Sequence, residues 1–152
     1  MDSSNNTLQP RLDAAAVETI IRRGLPIAER TDFSIVRIGP GVAEMRFGYA
    51  AWMVRPGGSV SGPVLMMATD TAMYAVLLAH TQGEEMALTS DLTFHFLGRA
   101  RPGDLRVMAR LLKLGRRVAV MEVEIRDVAD TLVMHASGTY MRPPAAGLKQ
   151  LS

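Results

Sequence analysis

The sequence predicts an α+β domain in which an antiparallel sheet curls around one long buried helix. The run from Gly62 to His80 holds a single acidic or basic residue, Asp70, ahead of its closing histidine. A helix with no polar face is one that other structure surrounds on most sides. After Gly83 the apolar period changes to two: Leu88, Ser90, Leu92, Phe94 and Phe96 fall on one face, Thr89, Asp91, Thr93 and His95 on the other. A helix that is apolar all round, beside such a sheet, is best buried when the sheet wraps it.

A chain of 152 residues suits one domain, and no internal repeat is visible. The organisation expected is a tail over 1–10, a single domain over 11–142 and a second tail over 143–152. At 48% apolar and 21% charged residues the composition is that of a globular protein. A net charge of +2, 5% aromatic residues and no dense Lys/Arg block argue against a nucleic-acid partner. With no cysteine there is no disulfide, thiolate metal site or Cys nucleophile. The polar Met1 to Pro10 lacks a basic-then-apolar leader pattern, so cytoplasmic residence is expected. The Gly62–His80 run is long enough to span a bilayer, but a charge at its centre costs roughly 3 kcal/mol on insertion, so a buried helix and no membrane are expected.

In chain order, Leu12, Ala16, Ile20 and Ile21 recur at helical spacing, and Arg22-Arg23-Gly24 closes a short amphipathic helix. Phe33–Ile38 and Val42–Tyr49 read as strands around the turn Gly39-Pro40-Gly41. The loop that follows carries Trp52, expected to pack near the glycine turn, and then Gly57-Gly58-Ser59-Val60-Ser61-Gly62-Pro63 opens the long helix. Beyond it, turns at Arg101-Pro102-Gly103-Asp104, Leu114-Gly115-Arg116 and Asp127–Asp130 divide strands 88–96, 105–114, 118–126 and 132–141 into a three- or four-strand meander. The three histidines, His80, His95 and His135, share no metal-ligand spacing, so no metal is expected. His80 is expected to end the helix. The eleven methionines read first as core, and secondarily as lining for an adaptable pocket.

A buried unpaired carboxylate is costly, so Asp70 has to be paired, protonated or functional. The pieces around it carry a pattern: Gly58-Ser59-Val60-Ser61-Gly62-Pro63 leading to Ala68-Thr69-Asp70-Thr71-Ala72, then Phe94-His95-Phe96-Leu97, Ala100-Arg101-Pro102-Gly103-Asp104-Leu105, Leu112-Lys113-Leu114-Gly115-Arg116-Arg117 and Ala136-Ser137-Gly138-Thr139-Tyr140. In this order and spacing the chain resembles the hotdog-fold acyl-CoA thioesterases of the phenylacetate-pathway branch. The resemblance implies a sheet wrapped around the central helix, dimers or tetramers, and hydrolysis of acyl-CoA to free acid and coenzyme A, with no cofactor beyond the substrate's own coenzyme A. It implies that the Gly62 N–H receives the thioester carbonyl, that Asp70 acts as general base or nucleophile, and that Thr89 assists. Ser61 stands where the family has histidine, Arg55 where it often has asparagine, and Pro63 replaces a second glycine; Ser61 and Arg55 are the substrate-facing candidates there. Pro63 suits the first turn of a helix and leaves Gly62 at its mouth.

Spacing adds a constraint of its own. Gly62 and Asp70 lie eight residues apart, about 12 Å along a helix axis, whereas a base or nucleophile works within roughly 3 Å of the reacting atom. If both take part, they come from different subunits: Gly62 of one chain, Asp70 and Thr89 of the partner subunit. Lys113, Arg116 and Arg117 are either solvated turn residues or contacts for the phosphates of coenzyme A, with Arg101 a weaker candidate. The rival reading is a non-catalytic acyl-CoA binding or sensing protein on the same fold.

Overall fold

In the computed structural model, which describes residues 8–144, Gly62–His80 forms one continuous helix, α2. A shorter helix, α1 (Ala14–Gly24), precedes it. The strands are β1 (Phe33–Gly39), β2 (Val42–Phe47), β3 (Leu88–Phe96), β4 (Leu105–Leu114), β5 (Val118–Arg126) and β6 (Leu132–Met141). They make one antiparallel sheet in the order β1-β2-β4-β5-β6-β3. The meander therefore has three strands, β4-β5-β6, and β3 crosses to the far edge beside β6.

The sheet wraps α2 because α2 has apolar side chains to bury in almost every direction. Met73, Val76, Leu77 and Leu78 have no exposed surface. Each such aliphatic side chain contributes roughly 1.5–3 kcal/mol on full burial. They meet the inward residues of β2, β4 and β5, among them Met45, Val107, Ala109, Met121 and Val123, all fully buried. One glycine marks the closest approach. A Cβ on Gly138 of β6 would come within 2.8 Å of the Asp91 carbonyl and 3.1 Å of Met73 Sδ. At the end of α2, His80 is buried and bridges two elements: its Nδ1 donates to the Val76 carbonyl at 2.7 Å, and its Nε2 accepts the Gly41 N–H of the β1–β2 turn at 2.9 Å.

Helix α1 seals one sheet edge. Glu18 accepts the Ile35 N–H at 2.8 Å, and Arg22 donates to the Phe33 carbonyl while lying over the Phe33 ring. Side chains thus pair the outer backbone groups of β1 that another strand would otherwise seek. The opposite edge, β3, has no neighbour beyond β6 among the described residues, and Leu88 and Phe96 at its two ends are exposed.

Three expectations are corrected in detail. The first helix starts at Ala14, not with Leu12, because the Asp13 side chain caps it by accepting the Ala16 N–H at 2.9 Å. The segment 8–10 is held rather than loose: the Leu8 carbonyl accepts the Gly41 N–H at 2.9 Å and its side chain packs on the core. The rest of that tail, 1–7, and residues 145–152 of the C-terminal one lie outside the described residues. Trp52 is 55% exposed, because Met53 takes the inward position of its short turn instead.

Candidate active site

Asp70 lies on the third turn of α2, at the wall of a cleft of about 230 Å³ shared with Leu25, Tyr74, Ala87, Leu88 and Thr89. Its carboxylate is paired. Thr89 donates its hydroxyl to Asp70 Oδ1 at 2.9 Å, and the Tyr140 hydroxyl donates to the same oxygen. The Tyr140 oxygen also lies 3.0 Å from the Asp70 carbonyl. Both donors fall on Oδ1, so Oδ2 takes no bond from the protein among the described residues.

Thr89 reaches Asp70 because β3 is bulged. Strict alternation would put it on the face opposite Leu92, Phe94 and Phe96. In the sheet Thr89 pairs with Tyr140 and Asp91 pairs with Thr139, so Ser90 is an extra residue in β3. One added residue moves everything before it to the other face. Thr89 thereby takes the inward slot, on the same side as Tyr140 and Leu92.

Tyr140 is the residue that pattern reading overlooked. It is 3% exposed, and burial, followed by the adjacent Asp70 charge, pushes its phenol far above the ordinary range. Held protonated in this way, the phenol serves as a hydrogen-bond donor to Asp70. Tyr74, one turn after Asp70, stacks on Tyr140 with ring centroids 6.4 Å apart and donates to the Glu85 carbonyl at 3.0 Å. Burial and then Glu85 raise its phenol too. Tyr140 closes the Ala136–Tyr140 stretch that carries the resemblance, but nothing in the sequence ties its hydroxyl to Asp70.

At the other end of the cleft-forming helix, the Ser61 side chain makes no cap bond. The Ser61 N–H goes to Met53 and the first helical bond runs from Leu65 to Ser61. Among the described residues no backbone acceptor takes the Gly62 N–H, which is one of the orphan donors of a helix start. Phe96 lies beside it, 3.7 Å from where a Gly62 Cβ would stand. Gly62 and Asp70 occupy one unbroken helix, so about 12 Å of axis separates them within the chain. The fold brings Asp70 and Thr89 together and leaves Gly62 apart. Arg55 is exposed near the Gly62 end. Lys113, Arg116 and Arg117 are exposed at the Asp70 end, since Leu114 pairs with Ala119, Ala119 with Tyr140 and Tyr140 with Thr89. Among the described residues no group of three His, Cys, Asp or Glu side chains could hold a metal ion. The helix long and apolar enough to cross a membrane is α2, and it is the core helix.

Residues 57–134, from the glycine turn through the first part of β6, match the family model of the thioesterase superfamily. This chain belongs to the thioesterase superfamily. Its sheet wrapped on a central helix is the superfamily's hotdog fold, as expected. A candidate thioesterase of Silicibacter sp. TM1040 has a structure similar to it at a TM-score of 0.82, with 32% identity over 91% of this chain and 96% of the other. The PaaI protein of the E. coli phenylacetic acid degradation operon superposes with a TM-score of 0.76 at 23% identity, covering 86% of this chain and 93% of that one. That second likeness is one of fold and does not single out the phenylacetate branch. A candidate esterase of Saccharolobus solfataricus is 26% identical over 82% of this chain and 89% of its own length.

Proposed function

We propose that this superfamily member hydrolyses acyl-CoA thioesters to the free acid and coenzyme A at sites shared between two subunits. The observation that carries the reading is a carboxylate with one oxygen pinned and, among the described residues, one free, on a helix whose first N–H has no backbone acceptor among them. The two lie too far apart to serve one carbonyl within a chain. The open edge of β3 supports the assembly: an antiparallel pairing of β3 with a second copy extends the sheet and turns the Asp70 end of one chain toward the Gly62 end of the other.

In such a site the thioester carbonyl accepts the Gly62 N–H, backed by the positive end of α2. Asp70 Oδ2 of the partner subunit takes a proton from water as the water oxygen bonds to the carbonyl carbon. The tetrahedral oxyanion then collapses, the C–S bond breaks, and the coenzyme A thiolate leaves with that proton. In the nucleophilic variant Oδ2 itself bonds to the carbonyl carbon, expels the thiolate and forms an anhydride that water opens. Thr89 and Tyr140 hold Oδ1 in either case. Lys113, Arg116 and Arg117 on the hairpin beside Asp70 are in reach of the coenzyme's phosphates. The protein acts in the cytoplasm.

The test is cleavage of a panel of short, medium and aromatic acyl-CoAs by the wild type and by Asp70→Asn. Removal of the base lowers kcat by about 10³-fold, within the range such groups contribute. Saturable binding without turnover by the wild type would instead establish a binding protein. Single turnover in heavy-oxygen water separates the two chemistries, because label enters Asp70 only if an anhydride forms.

A further inference from the structure

We infer that Arg142, the residue after β6, is a positioning residue for the acid: by gripping the loop from α2 to β3 it holds Thr89 against Asp70. This inference rests on the acyl-CoA reading above and adds to it a residue outside the cleft that Asp70 lines.

Thr89 is weakly held by its own strand. β3 is an edge strand, and Leu88 and Thr89 are both exposed, so little packing fixes them. Two ladder pairs, Leu88 with Met141 and Thr89 with Tyr140, lie between the end of the loop and the bulge at Ser90. An edge segment with few buried contacts opens locally at small cost. The bond by which Thr89 reaches the acid, 2.9 Å to Asp70 Oδ1, therefore depends on how the loop before it is tied down.

Arg142 supplies that tie. Its Nε donates to Glu84 Oε2 at 2.9 Å and its Nη2 to Glu84 Oε1 at 2.7 Å, the two-pronged geometry a guanidinium makes with a carboxylate. Its Nη1 donates to the Gly115 carbonyl at 2.6 Å, and its backbone N–H to the Arg117 carbonyl at 2.8 Å. One residue thereby fastens the loop to the β4–β5 hairpin. The Arg142 side chain is 19% exposed and that of Glu84 25%. The next pair along the loop, Arg23 with Glu85, is 63% and 40% exposed, and an ion pair so open to water holds little. Glu84 passes the constraint on. Its carbonyl accepts the Ala87 N–H at 3.2 Å, and the buried Ala87 leads directly into Leu88 and Thr89. Arg142 itself follows Met141, the partner of Leu88, so the fork closes the ladder at the end where Thr89 and Tyr140 meet Asp70.

The experiment measures kcat per folded molecule, on one acyl-CoA that the wild type cleaves, for Arg142→Lys, Glu84→Gln, Thr89→Ala and the double variant Arg142→Lys/Thr89→Ala. Arg142→Lys keeps the charge and loses the planar fork, so kcat falls about fivefold, less than the about tenfold of Thr89→Ala. Glu84→Gln leaves the bond to Gly115 in place and lowers kcat in the same sense, about threefold, which traces the effect to the loop rather than the hairpin. In the double variant the loss equals that of Thr89→Ala alone, because nothing remains for the fork to position. A merely structural role gives losses that multiply. A fivefold loss repeated in the Thr89→Ala background overturns the inference, as does wild-type kcat in both Arg142→Lys and Glu84→Gln. Should Arg142→Lys not fold, Glu84→Gln with and without Thr89→Ala makes the same comparison. Amide hydrogen exchange gives a readout independent of turnover: exchange over 84–90 rises about fivefold or more in Arg142→Lys, while 119–125 in β5 keeps wild-type protection. Unchanged exchange over 84–90 overturns the positioning role. If the wild type cleaves no thioester, the function above fails, while faster exchange confined to 84–90 still supports the hold of Arg142 on Thr89.

Discussion

Thr89 donates to Asp70 at 2.9 Å from a strand whose simple alternation would turn it away. The bond exists because Ser90 is an extra residue in β3. A bulge here is a device that aims a side chain, and it carries a prediction. Deleting Ser90 restores straight pairing and leaves Thr89 opposite Tyr140, on the inward face, so its bond to Asp70 survives. The deletion should therefore cost less in kcat than Thr89→Ala, which loses about tenfold for one hydrogen bond to a charged group. Steady-state kinetics of the two variants decide it, and a Ser90 deletion as impaired as Thr89→Ala would contradict the assignment of Ser90 as the extra residue.

Tyr140 makes two predictions together. As a positioning residue, its replacement by Phe lowers kcat about tenfold with little change in KM, since the acyl group does not depend on the phenol. It also alters alkaline stability. An unfolded tyrosine releases its proton near pH ~10, whereas in the fold burial and the Asp70 charge hold that proton to higher pH. The native state therefore binds more protons above that point, and stability falls as pH rises through it. The contribution is complete below about pH 10 and is lost beyond. Urea midpoints measured at neutral and alkaline pH should lie closer together in Tyr140→Phe than in the wild type, with Tyr74 supplying part of the fall that remains.

His80 has a structural part. Its two ring nitrogens, one donating and one accepting, fix a single neutral tautomer between the end of α2 and the β1–β2 turn. His80→Leu keeps the volume and removes two buried hydrogen bonds whose partners each retain another, Gly41 N–H to the Leu8 carbonyl and the Val76 carbonyl within α2, at a cost of about 1–2 kcal/mol. Urea unfolding measures it. Activity per folded molecule stays at the wild-type level, because His80 lies nearly three turns beyond Asp70 on α2.

Much of this architecture was legible in the chain, and what was not has identifiable causes. Helix α2 was readable at both ends, since the Gly-Pro entry, the apolar run and the terminal His80 agree with one another. The strands were readable from period two and their turns. The crossing of β3 to the sheet's far edge was not, because alternation says which face a strand buries but not which neighbour it takes. Asp70 stood out by charge alone. Thr89 was placed with Asp70 by the resemblance alone; the residues by themselves could not show the contact, which depends on a one-residue bulge, and Tyr140 lies seventy residues away on a strand that meets Asp70 only through tertiary pairing. Trp52 misled for a related reason. Hydrophobicity favours burial, but in a three-residue turn only one side chain can face inward, and Met53 does.

The distance along α2 makes the shared site the central claim, and complementation between inactive subunits tests it most directly. Asp70→Asn removes the carboxylate. Gly62→Pro removes the oxyanion N–H, and Ser61 already has the extended conformation a following proline needs. Each variant alone should be nearly inactive. Unfolded, mixed in equal amounts and refolded together, half the dimers are hybrids, each with one intact site of two, so about one quarter of wild-type activity returns for a two-fold assembly. Activity no higher than the average of the separate variants, in a mixture shown to contain hybrids, would contradict the shared site and place both groups at one chain's own centre.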